Sequence, residues 1–68
     1  MLLTVEIDCG VDDLTSAMSR MREWLDTQRF EPDTFRHTVH GESITITVQF
    51  NVESEAIAFA RAFDGKLA

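Results

Sequence analysis

The chain has 68 residues, 44% of them hydrophobic, with twelve acidic side chains against six basic ones and a formal charge of −6. That balance lacks the basic stripe that nucleic-acid binding needs to displace phosphate counterions, and it disfavours an anionic membrane surface for the same reason. Cys9 is the one cysteine, which excludes an internal disulfide and a thiolate metal cage.

A chain this short is expected to form one domain, residues 1–68. At this size folding removes only about 60% of the unfolded surface from water, so a well-packed core or a partner must supply the stability. Glu6 and Asp8 interrupt the opening apolar run and no basic residue precedes it, so it does not read as a signal peptide. No apolar stretch approaches the roughly 20 residues of a membrane helix, and the expected location is cytoplasmic.

Leu3, Val5 and Ile7 alternate with Thr4, Glu6 and Asp8, which predicts a half-buried strand. Gly10 breaks the alternation, and Asp12 or Asp13 is placed to cap a helix start, where a carboxylate also meets the positive end of the helix dipole. From there Val11, Leu14, Met18, Met21 and Leu25 recur at helical spacing, with Ala17 and Trp24 widening the stripe. Pro32 is expected to end this helix.

Phe35, His37 and Val39 then alternate with Arg36, Thr38 and His40, and after Gly41-Glu42 the alternation resumes with Ile44, Ile46, Val48 and Phe50 on one face. Glycine in the first central position suits a two-residue type II′ turn. That turn pairs Val39 with Ile44, His37 with Ile46 and Phe35 with Val48, so the apolar rows coincide. A second helix follows with Val52, Ala56, Phe59, Ala60 and Phe63 as its stripe, and Gly65 is its expected C-cap.

The predicted fold is α+β, in the order β-α-β-β-α. A crossover from the first strand is expected to lay it parallel to and beside the last, giving a three-stranded mixed sheet of order 1-3-2 with both helices on one face. Only Lys66-Leu67-Ala68 remains after the second helix, so the arrangement reads as ferredoxin-like with its final strand missing, and strand one as an unpaired edge.

Four features of the sequence are candidate sites. His37 and His40 point to opposite faces of a strand and do not chelate. Cys9 and Gly10 end strand one, where copper-handling domains of ferredoxin-like fold carry Cys-x-x-Cys, but the residue three beyond Cys9 is Asp12. A reactive thiol needs a neighbouring base, and the hairpin turn bearing His40 is expected at the far end of the sheet from Cys9, about 20 Å away. The acids Asp8, Asp12 and Asp13 lack the spacing of a calcium loop. The open sheet face, Leu2, Thr4, Glu6 and Asp8 with Thr45, Thr47 and Gln49, shows no aromatic for stacking on RNA bases.

These readings leave no catalytic residue, no metal ligand and no cofactor. The expected role is a small non-catalytic interaction module that takes a protein partner or a second copy of itself. The candidate interface is strand one, with Leu2, Thr4, Glu6 and Asp8, pairing antiparallel in a homodimer. The βαββα order and the Gly10 loop also resemble the amino-acid-binding ACT domains in outline. That resemblance implies a regulatory ligand site at Cys9, Gly10, Asp12 and Asp13. An enzyme using Cys9 or His37 at a subunit interface is the least favoured reading.

Overall fold

The computed structural model describes residues 2–68. Strand β1, Leu3–Gly10, alternates as its sequence dictates: Val5 and Ile7 are buried while Glu6 and Asp8 are exposed. A short 3-10 turn, Val11–Asp13, leads into helix α1, Leu14–Gln28. Neither Gly10 nor Asp13 makes a side-chain cap, so the expected capping by Asp12 or Asp13 is not the arrangement found. Val11, expected on the apolar stripe, is exposed because the 3-10 turn winds more tightly than the helix and carries it off that face.

Arg29, not Pro32, ends α1. It adopts left-handed geometry (φ 61°), its N–H donates to the Asp26 carbonyl, and the Phe30 N–H donates to the Leu25 carbonyl at 2.9 Å. That pair of bonds is the Schellman motif, and it satisfies carbonyls that would otherwise be orphaned. Pro32 follows in the connection to strand β2, Thr34–His40.

The hairpin to strand β3, Ser43–Phe50, has the register read from the sequence: Val39 faces Ile44, His37 faces Ile46 and Phe35 faces Val48. Gly41 has φ 64° and Glu42 does not have positive φ, in keeping with glycine in the first central position of a type II′ turn. Helix α2, Glu53–Phe63, buries Ala56, Phe59 and Ala60, while Val52 stands outside it in an extended, exposed position. Its left-handed terminal residue is Asp64 (φ 56°) rather than Gly65.

The sheet departs from expectation in two ways. It has four strands, because Lys66–Leu67 forms β4 and pairs antiparallel with Val5 and Glu6, and the Ala68 N–H adds a bond to the Thr4 carbonyl. It is also antiparallel throughout, in the order β2-β3-β1-β4. The direction follows from the chain: α1 carries it back so that β2 runs alongside β1 in the same sense. The hairpin then reverses it, and β3 enters between them antiparallel to both. The mixed three-stranded sheet is therefore corrected, and the unpaired first strand is corrected from Thr4 to Glu6, while among the described residues no strand pairs with that side of residues 7–10. The other edge, β2, remains open.

Both helices lie on the face of Val5, Ile7, Ile44, Ile46, Val48 and Phe50, all buried. Phe50 and Phe59 meet at 5.3 Å between ring centroids, and Trp24 sits edge-on to Phe30, Phe59 and Phe63. Full burial of a ring, as at Phe50 and Phe59, contributes about 1.5–3 kcal/mol, and the half-buried Trp24, Phe30 and Phe63 add less. Among the described residues, no helix is long and apolar enough to cross a membrane.

Candidate functional site

The antiparallel order brings the hairpin turn to the same end of the sheet as the β1–α1 loop. Gly10 stands opposite Ser43, Ser43 opposite His40, and the Val11 N–H donates to the Glu42 carbonyl at 3.2 Å. The expected 20 Å separation of Cys9 from His40 is thus wrong, for the reason that made the sheet antiparallel. The two side chains still do not face each other. Cys9 shares the helix-side row with Val5 and Ile7, half-buried against the core opposite Ile44, whereas His40 has the parity of the open face.

Gly10, Val11, Asp12, Asp13 and Glu42 line a concavity at this end. The loop named from the sequence therefore forms a surface, with Glu42 added by the turn and Cys9 left out. Among the described residues, no group of three His, Cys, Asp or Glu side chains is arranged to hold a metal ion.

The open sheet face is a set of hydrogen bonds. Thr34 Oγ1 donates to Gln49 Oε1 at 2.8 Å, Gln49 Nε2 donates to Thr4 Oγ1 at 3.2 Å, and Thr45 Oγ1 donates to Asp8 Oδ1 at 2.9 Å. Thr4 and Asp8, two residues of the expected interface, are thereby committed to β3 side chains. Glu6 lies opposite Lys66, and Leu2 is exposed ahead of the strand.

The feature the sequence reading passed over is β2. Its helix-side row should be covered if the helices spanned the sheet, yet His37 is exposed and Val39 is 58% exposed. Only Phe35, at the other end, is half-buried, with the Arg22 guanidinium 5.5 Å over its ring. A shallow groove beside it is lined by Leu25, Phe30, Pro32 and Phe35 with Arg22, Asp26 and Glu31. Among the described residues no strand pairs with the outer side of β2. The available signal was composition: Thr34–His40 contains no acid in a chain that has twelve.

No family model, curated protein or solved structure matches this chain.

Proposed function

We propose that this chain is a small non-catalytic protein-interaction module that assembles with itself through the open edge of its sheet. The observation that supports it is β2, a seven-residue edge strand whose side chains from Arg36 to His40 are all exposed. An unpaired edge is a row of free N–H and C=O groups, and isolated proteins usually blunt it with lysine, proline, a bulge or a covering segment. β4 covers β1 from Thr4 to Glu6 and leaves a shorter free stretch there than β2 offers, so the self-pairing expected at β1 moves to β2. Solution mass by sedimentation equilibrium, from about 1 μM to about 1 mM, tests the reading over the range in which a weak dimer assembles. A mass rising toward twice 7.7 kDa supports it, and a constant 7.7 kDa removes it.

A second reading is a regulatory domain that binds a small ligand, resembling ACT domains. The β-α-β-β-α-β order with strands β2-β3-β1-β4 supports a ferredoxin-like, split βαβ reading of the fold, and the concavity at Gly10 supplies a place for a ligand. Its acidic lining, Asp12, Asp13 and Glu42, favours a ligand with an ammonium group. Amide shifts confined to Asp8–Asp13 and Glu42 on adding single amino acids would support this reading. A flat response across the panel would remove it.

A further inference from the structure

We infer that two copies of this chain join β2 to β2 in antiparallel fashion, with the two-fold axis passing through His37. The inference rests on the self-assembly proposed above and fixes its surface and register.

In the two-residue turn Gly41-Glu42 the Ser43 N–H faces the His40 carbonyl, so His40 and Ser43 are a hydrogen-bonded pair. Pairs in an antiparallel ladder alternate between bonded and non-bonded. Thr34, Arg36, Thr38 and His40 therefore direct their N–H and C=O groups at β3, while Phe35, His37 and Val39 direct theirs outward. A two-fold at His37 opposes these outward groups to one another. His37 exchanges both bonds with the partner's His37, and Phe35 exchanges both with the partner's Val39.

Side chains decide the register among those that symmetry permits. With the axis at His37, every residue from Thr34 to His40 finds an opposite number. Phe35 lies across from the partner's Val39, so the helix-side row, apolar at both ends and exposed at Val39, gains an apolar neighbour from the other copy. Arg36 falls opposite the partner's Thr38. Moving the axis to Arg36 would set two guanidinium groups face to face and shorten the paired segment; moving it to Thr38 would leave Phe35 without a mate. The strand carries no acid, so the seam avoids the repulsion that a charge of −6 per chain imposes elsewhere. It also contains no proline or lysine, and its pairing to β3 is continuous from Thr34 to His40 without a bulge. Joined in this way, the four-stranded sheets of both copies become one.

The test is cysteine cross-linking in a Cys9→Ala background, read together with solution mass. A hydrogen-bonded pair on the two-fold has Cα atoms about 5.5 Å apart, inside the span a disulfide bridges. His37→Cys is expected to oxidise to a covalent dimer as the main product. His40→Cys, whose mate in this register is the partner's Thr34, is expected to stay unlinked. Val39→Lys places a charge against the partner's Phe35 and is expected to lose the dimer while retaining the circular dichroism of the parent, since Val39 is exposed in the single chain. A dimeric mass with no link at His37→Cys, or with linking at His40→Cys, overturns the register inferred here and leaves self-assembly standing. A monomeric mass at every concentration overturns both.

Discussion

A Cβ atom built on Gly65 would stand 2.7 Å from Ile7 Cγ1, closer than real carbon atoms approach. It would also lie 2.9 Å from Val5 Cγ1 and 3.1 Å from the Glu6 carbonyl oxygen, so the absence of a side chain lets the chain leave α2 and press against β1. β4 depends on that approach, because its two residues pair with Val5 and Glu6 immediately afterwards.

Gly65→Ala is accordingly expected to destabilise the protein by about 1–3 kcal/mol, the usual cost of forcing an extra group into a packed site. Urea unfolding measures the loss, and hydrogen exchange locates it. The Ala68 amide, which donates to the Thr4 carbonyl, should lose protection first, because β4 must lift away from β1 to make room. A variant with parental stability and protection would show that the approach is not a constraint.

Phe59 touches Phe50, Trp24 and Phe63, and is fully buried. Truncating such a residue removes its transfer free energy and leaves a cavity, so Phe59→Ala should cost about 3–5 kcal/mol. For a domain of this size that is enough to unfold much of the population. The single tryptophan, Trp24, reports the change directly through its emission, which should shift to longer wavelength as water reaches the ring. Phe59→Leu, keeping most of the volume, should fall well short of that loss.

Arg29 holds left-handed backbone geometry at the end of α1, a conformation that costs a residue with a Cβ about 1–2 kcal/mol. Arg29→Gly is expected to raise stability by about 1 kcal/mol, reduced by the extra freedom glycine brings to the unfolded chain. The guanidinium is exposed, so little packing is lost. Thermal unfolding reads the result as a higher midpoint, and a lower one would mean that the Arg29 side chain contributes more than its exposure indicates.

Gln49 bridges Thr34 and Thr4 across the open face, accepting from one and donating to the other. Thr34→Val and Thr4→Val should each cost about 0.5–1.5 kcal/mol, the net worth of a hydrogen bond in a folded chain. The double variant should cost less than the sum, because both threonines act through the same amide, and a thermodynamic cycle measures the difference. Strict additivity would mean that the bridge does not operate as a unit.

Much of the architecture was legible in local pattern. The alternation of Ile44, Ile46, Val48 and Phe50 and the two-residue turn together specify the hairpin register, because side-chain parity and turn geometry are both short-range properties. Ala17, Met21, Leu25, Ala56, Phe59 and Ala60 were placed in the core by spacing alone, and all are buried. Gly10, Asp12 and Asp13 line a concavity together with Glu42, whose contribution required knowing that the hairpin turn returns to this loop.

The remainder was decided between distant segments. Backbone N–H and C=O groups are the same at every residue, so nothing in Leu3–Gly10 encodes whether β3 passes it parallel or antiparallel. The excursion of the chain through α1 and the hairpin sets that direction. Two residues, Lys66 and Leu67, are too few to show a period, and they become a strand only because Gly65 admits them to β1. Phe35, His37 and Val39 share one parity in the sequence, yet the position of α1 covers the first and leaves the last exposed. The sequence by itself determined which residues face which side of each element, since that depends on periods of two and 3.6. Only the tertiary structure decided which of those faces and edges are covered, because coverage depends on elements that lie far apart in the chain.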